Sequence, residues 1–380
     1  AGHEPLVLCV RRGKDALDTT EEHEGVTVRR VEYKQPFHGH APHLREVKEL
    51  WRVLPSVLGT FQPNVIWSCW IKYSIALSRR ESGVPFIHIP ASAYKISYDG
   101  YLQGAQLTLR QLPNIVKWRY LRHISYKLER EVMDKCARIV VFSDNVKRQY
   151  AMLYPEWIEK VSIIPPGIQT DTFPLIDRHE AHEWLCRTWH ISISRRIILC
   201  VGRLEADKHV HHLLEMMSVL QSDAPELYNT THLILVGDGL YRAYLEQRAE
   251  NLNIADHVTF AGFQREELAQ YYSGAWVHVL PTFIESFGLV LVEAALCNTP
   301  SVAFKPNNTF VFTAADTIIR DGETGLLAED PSPQGLADTV SECLAWDEDT
   351  RDKIGAAART WVEQTFRRDK FVESVLDLMK

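Results

Sequence analysis

Pro281-Thr-Phe-Ile-Glu285-Ser286-Phe287-Gly288-Leu289-Val-Leu-Val-Glu293-Ala-Ala is the stretch that decides the fold of this 380-residue chain. It follows a short apolar run, residues 277–280, that reads as a buried strand. Ser286 is a good N-cap residue, and residues 288–296 read as a helix. A strand that runs through a short turn into a helix is one half of a βαβ unit. The tip of such a helix offers unpaired N–H groups and the positive end of its dipole, so it can hold a phosphate. Glu285 lies just before the helix and Glu293 eight residues later, a little over two turns. Glu293 is therefore expected on a similar face but deeper. One carboxylate can then meet a group beside the phosphate, and the other a pair of hydroxyls further along. The bland alternative is an ordinary helix-start acid and a solvated glutamate.

Working outward, the same strand–helix alternation fills the chain. Apolar runs at residues 6–10, 65–69, 86–89, 138–142 and 161–164 read as strands in the first half. Residues 196–201, 232–236, 257–260, 277–280 and 301–304 do so in the second. Amphipathic stretches such as 43–58, 210–220, 240–251 and 266–273 lie between them. Two such series predict an α/β chain with two doubly wound, Rossmann-like domains. Pro165-Pro166-Gly167 marks the boundary, because it ends a strand and opens a connection. The expected division is a first domain over 1–170, a second over 171–355, and a final helical segment over 356–380. That segment follows no further strand and must pack on something already built, expected to be the first domain.

Composition excludes several classes. Apolar residues are 46% and charged residues 24%, an ordinary globular balance that rules out disorder and a disulfide-stapled mini-protein. No apolar run approaches the roughly 20 residues that cross a bilayer. The opening Ala1-Gly2-His3-Glu4 does not read as a signal peptide. Seven cysteines without a C-x-x-C pair read as reduced, buried thiols of a cytoplasmic protein, with no zinc site. The net charge of −7 divides into +7 over residues 1–170 and −14 over 171–380. Unequal halves suggest different partners. Nucleic acid is not expected among them, since the total is acidic and no aromatic–basic platform is visible.

Three further turns follow predicted strands. In Val201-Gly202-Arg203-Leu204-Glu205-Ala206-Asp207-Lys208-His209, a guanidinium and an ammonium share one loop, and both suit a diphosphate. Gly202 lets backbone approach closely. Val236-Gly237-Asp238-Gly239-Leu240-Tyr241-Arg242 begins like G-x-G-x-x-G, but Arg242 stands where the last glycine belongs. It reads as a tight turn whose backbone flanks a nucleotide. In Phe260-Ala261-Gly262-Phe263, backbone after a strand can meet a flat base edge, although Gly there is commonly a plain turn.

Taken in order, Gly202-Arg203…Lys208, Gly237-Asp-Gly239, Gly262-Phe263 and Glu285-x7-Glu293 resemble the retaining glycosyltransferases of family 4, which have the GT-B fold. Asp134-Lys-Cys-Ala-Arg-Ile-Val-Val-Phe-Ser143, Ile164-Pro-Pro-Gly167 and Asp321-Gly-Glu-Thr-Gly325 support the likeness. The resemblance implies that the second domain binds a nucleotide sugar. Arg203 and Lys208 would neutralise the diphosphate without a metal ion, and no other cofactor is implied. The amides of Gly288 and Leu289 would hold the distal phosphate. Glu285 would contact the donor sugar, with Ser286 and Phe287 close by, and Glu293 would accept from the ribose hydroxyls. Gly262 and Phe263 would lie beside the base. The implied reaction is sugar transfer with retention, the leaving diphosphate accepting the acceptor's proton, with closure of the two domains excluding water. A UDP-sugar is the expected donor, with GDP- and ADP-sugars as alternatives. A catalytically inactive nucleotide-sugar-binding subunit of the same fold is the rival reading.

Two departures from the family stand out. Its members begin with a strand and a glycine-rich loop, whereas this chain opens at what reads as the second strand. The family also often has a histidine at the end of the strand corresponding to residues 86–89. Here His88 falls two positions early, on the same strand face, and is either a catalytic candidate or a core histidine. The acceptor side says less. Between residues 114 and 134, Tyr120, Leu121, Ile124, Leu128 and Val132 share one helix face, and Arg119, Arg122, Lys127 and Arg130 the opposite one. Such a basic stripe suits the cytoplasmic face of a membrane or a phosphorylated acceptor, and equally an ordinary solvated face.

Overall fold

Successive apolar residues in the later strands point alternately into different cores, as they must in a parallel sheet covered by helices on both faces. Ile198 and Cys200 enter one core with Leu233, Leu235, Val277 and Val279. Ile197, Leu199 and Val201 enter another with Ile234 and Val236. The computed structural model describes residues 6–12, 19–23, 26–33, 42–69, 71–79, 83–90, 93, 96, 112–307 and 309–378. The chain forms two units. One comprises Ala1–Ala91, His123–Val140 and Tyr154–Ser162, the other Ser92–Arg122, Val141–Leu153 and Ile163–Lys380.

The first unit is built on two sheets. β1 (Leu6–Arg12), β2 (Thr19–His23) and β3 (Val26–Tyr33) form the first, in the order β1-β3-β2. β3 lies parallel to β1 and antiparallel to β2. The helix Pro42–Phe61 turns Val53 and Val57 towards Leu6 and Leu8. β4 (Ile66–Ser68), β5 (Phe86–His88), β6 (Arg138–Val141) and β7 (Val161–Ile163) form the second sheet in sequence order. The helix Leu112–Lys135 ends in three carbonyls, of Met133, Asp134 and Cys136, that all accept from Lys160 Nζ. A cation there satisfies carbonyls the helix leaves open and meets the negative end of its dipole.

The second unit holds a six-stranded parallel sheet. Its strands are β8 (Arg196–Val201), β9 (Thr231–Val236), β10 (Val258–Gly262), β11 (Val277–Leu280), β12 (Ser301–Phe304) and β13 (Gly325–Ala328). Their spatial order is β10-β9-β8-β11-β12-β13. The chain builds outward from β8 to β10, then returns to the other side of β8 and builds outward again. The connections therefore diverge between β8 and β11, and such a switch point opens a crevice at the carboxyl ends of the two strands.

All ten expected strands form. β2, β3 and β13 were not expected. β2 and β3 carry too much charge to read as apolar runs, and β13 is four residues starting at a glycine. The last helical segment is two helices, Glu348–Thr365 and Arg368–Leu378. The break falls at Phe366, which is buried against Phe287 with ring centroids 5.1 Å apart and whose carbonyl accepts from Ile168 N. Among the described residues no helix is long and apolar enough to cross a membrane.

The two glycines after β9, Gly237 and Gly239, are set by backbone packing. Gly202 N donates to Val236 O, and Gly237 N to Gly262 O. A Cβ on Gly237 would lie 1.8 Å from Gly202 O, and one on Gly239 2.3 Å from Leu204 O. We expect Gly237→Ala to lower stability by about 3 kcal/mol, the upper range for overpacking. Denaturant unfolding with an unchanged midpoint would show that the turns do not pack this closely.

Candidate active site

A cavity of about 280 Å³ opens at the carboxyl ends of β8 and β11. Gly202, Arg203 and Lys208 reach it from the turn after β8, and Glu285 to Leu289 from the turn after β11. Eight of the residues singled out in the sequence thus share one cavity: Gly202, Arg203, Lys208, Glu285, Ser286, Phe287, Gly288 and Leu289. Lys208 Nζ donates to Glu285 Oε2 at 2.7 Å, and each of these side chains is 20% exposed. Arg203 is 62% exposed and its nearest carboxylate, Asp207, is 3.8 Å away. One cation is thus held inside by a carboxylate, and the other is mostly exposed and more loosely paired.

The turn that carries Lys208 is fixed from behind. The 3-10 turn Ala206–Lys208 ends at His209, which has φ +53°, a left-handed conformation uncommon for a non-glycine residue. The buried His209 ring stacks on Phe283 at 4.3 Å, and its Nδ1 donates to Asp207 O at 3.0 Å. Burial pushes this imidazole down to about 4, so it is neutral at ordinary pH. Because Phe283 precedes Glu285 by two residues, the stack joins the two turns that meet in the Lys208–Glu285 pair. His209 was visible in the quoted motif, but nothing in the sequence linked it to Phe283.

The helix Leu289–Leu296 differs from expectation at its tip. Ser286 is not the N-cap; Gly288 is, with φ +95° and no side-chain hydrogen bond to the first amides. The Ser286 carbonyl instead accepts from Ser143 Oγ at 3.0 Å. A serine cap would occupy an amide of the first turn, whereas a glycine cap leaves the tip open towards the cavity. Phe287 lines the cavity but is 3% exposed, its ring packed edge-on against Phe366.

The other residues lie elsewhere. Glu293 does not line this cavity: it is turned aside to accept from the hydroxyl of Tyr272 at 2.8 Å, a partner the sequence did not reveal. Gly237, Gly239 and Gly262 sit at the ends of neighbouring strands, outside the lining, and Phe263 is 75% exposed. His88 is fully buried in the first unit. Its Nδ1 lies 2.7 Å from Ser74 Oγ, which donates to Ser68 Oγ, and burial pushes its pKa down to about 3. Of the basic stripe, the side chains of Arg119 and Arg122 lie outside the described residues. Arg130 pairs with Glu156 at 2.5 Å and sits 4.8 Å over the Trp157 ring, while Lys127 is exposed.

Two family models match the chain. One, described as glycosyl transferases group 1, matches residues 189–361, and the other, glycosyltransferase family 4, residues 1–172. The chain belongs to the family 4 glycosyltransferases. A D-inositol 3-phosphate glycosyltransferase of Acidothermus cellulolyticus is 29% identical over 260 residues, 66% of this chain and 55% of that relative. The chain spans about half the length of that relative and of its namesake in Geodermatophilus obscurus. Sucrose-phosphate synthase from Thermosynechococcus elongatus has a TM-score of 0.78 at 21% identity, covering 98% of this chain and 88% of that one. Anabaena HepE, solved in complex with UDP and glucose, has a TM-score of 0.70 at 17% identity, covering 93% and 86%. These neighbours show the GT-B fold.

Buried histidines give this chain a defined acid sensitivity. Burial lowers His209 to about 4 and His232 and His278 to about 3. An unfolded histidine titrates near 6.5. The unfolded state therefore gains protons first as pH falls, and the stability these groups hold above 6.5 is lost progressively towards 3–4. At pH 5.5 each should cost roughly 1.4 kcal/mol. Urea unfolding at pH 7.5 and 5.5 checks this, and equal stabilities would contradict it.

Proposed function

We propose that the chain moves a sugar from a UDP-sugar to an inositol phosphate or similar phosphorylated polyol, with retention and without a divalent ion. The observation that carries this reading is the meeting of Lys208, Glu285, Arg203 and an uncapped helix tip in one cavity at the switch point. The donor's distal phosphate occupies the helix tip, where the amides of Gly288 and Leu289 donate to it. Lys208 and the exposed Arg203 supply the two positive charges that a leaving diphosphate needs. Glu285, kept in place by Lys208, accepts from hydroxyls of the transferred sugar. Glu293, beyond the tip, accepts from the ribose diol.

In the reaction the anomeric carbon–oxygen bond to the diphosphate breaks and the acceptor oxygen bonds to that carbon from the same face. The acceptor's proton passes to the departing diphosphate oxygen. The protein therefore stabilises charge and positions the partners, and no side chain serves as general base. Support for uridine comes from the UDP complex of the HepE neighbour, and support for the acceptor from the names of the relatives.

Arg203→Ala should lower kcat/KM for the donor by about 10²-fold or more while leaving the melting temperature unchanged. Wild-type turnover would remove Arg203 from the site. Glu285→Gln should cut transfer by about 10²-fold while UDP affinity changes by less than about tenfold. Equal losses would make the glutamate structural. Treatment with EDTA should leave turnover intact; a loss restored by Mg²⁺ would overturn the metal-free mechanism.

A further inference from the structure

Glu293 and Tyr272 form a contact that the reaction outlined above does not use. Tyr272 lies near the end of the helix Leu268–Gly274 and has no exposed surface. Phe173 meets its ring edge-on at 6.0 Å and His278 at 5.6 Å. Its carbonyl accepts from Thr299 Oγ1 at 2.7 Å. Ring and backbone are thus both fixed, and the single O–H aims at Glu293 Oε2, 2.8 Å away. Burial pushes the phenol well above its ordinary pKa, so it stays a donor. Burial also raises Glu293, and the bond from Tyr272 opposes that rise by favouring the carboxylate. A ring needed for packing alone would do as well without a hydroxyl. Among the described residues Oε1 of Glu293 has no hydrogen-bond partner, so one carboxylate oxygen is pinned and the other is open.

We propose that Tyr272 is a positioning residue that fixes the Glu293 carboxylate in the orientation that accepts from the vicinal diol of the donor's ribose. The inference rests on the assignment of Glu293 to the ribose. A pinned carboxylate recognises a diol with little orientational entropy left to lose, whereas a free glutamate must be ordered when the nucleotide arrives.

The test measures binding of UDP and 3′-deoxy-UDP by calorimetry to the wild-type chain and to Tyr272→Phe. The wild type should prefer UDP by about tenfold or more, the scale of a hydrogen bond to a charged group. Tyr272→Phe should weaken UDP by about tenfold, leave 3′-deoxy-UDP nearly unchanged, and so erase most of the preference. Glu293→Gln, which still offers the phenol an acceptor, should erase it too. Equal weakening of both nucleotides by Tyr272→Phe would reveal a purely structural tyrosine, and a preserved preference would show that the phenol is not needed. Either outcome overturns the proposal while leaving Glu293 on the ribose. A wild type that does not distinguish the two nucleotides would remove Glu293 from the ribose, and the proposal with it. Should Tyr272→Phe fail to fold, the wild-type and Glu293→Gln measurements decide: a preference that survives Glu293→Gln overturns the proposal.

Discussion

Everything at the candidate site depends on the ion pair between Lys208 and Glu285. The two residues are 77 apart in sequence and belong to turns after different strands. Each side chain is 20% exposed, and the ammonium and the carboxylate are each other's partner in this half-buried place. The pair therefore holds both turns over the same crevice. Arg203 supplies the opposite property. Its side chain is 62% exposed and pairs only loosely with Asp207, 3.8 Å away.

A pair of this kind can exist only where two parallel strands lie side by side yet are remote along the chain. The order β10-β9-β8-β11-β12-β13 creates that situation once, between β8 and β11. The turns around it are stacked backbone on backbone, as the short approach of Gly237 to Gly202 shows. The glycines of the nucleotide-like fingerprint are thereby explained without a ligand. Side chains are excluded from Gly237 and Gly239, after β9, because the neighbouring main chain fills that space. The crevice is left to the residues that project from the two turns beside it.

The fold was legible because its determinants are local. Strands buried on both faces must be short apolar runs, and residues 196–201 or 277–280 cannot be read otherwise. β3 was not legible: Val-Thr-Val-Arg-Arg-Val-Glu-Tyr mixes charge with apolar residues, and its pairing with β1 and β2 is a tertiary fact. The members of the cavity were legible as motifs, since strand–turn–helix punctuation locates a phosphate-sized tip. Their partners were not. Nothing local says that Lys208 faces Glu285, that His209 stacks on Phe283, or that Ser286 yields the cap to Gly288. Nor does anything local say that Ser143 donates to the Ser286 carbonyl, a contact across 143 residues.

Glu293 does not line the cavity that Glu285 enters, and the reason bears on function. Two glutamates a little over two turns apart were expected on one face, but Glu285 precedes the helix and obeys the turn, so the 100° rule does not connect them. Their environments have separated accordingly. Glu285 faces an ammonium, while Glu293 faces a neutral, buried phenol and has its pKa raised by burial. Carboxylates placed so differently suit different tasks. The first is suited to a site of changing charge, where a cation must be shared with a leaving group. The second is suited to a neutral hydroxyl partner, which requires direction more than charge. From Leu289 to Glu293 the helix rises about 6 Å, so the two tasks are separated along its axis by the length of one turn. In the proposed reaction the helix therefore sets the distance between the group that leaves and the group that is recognised.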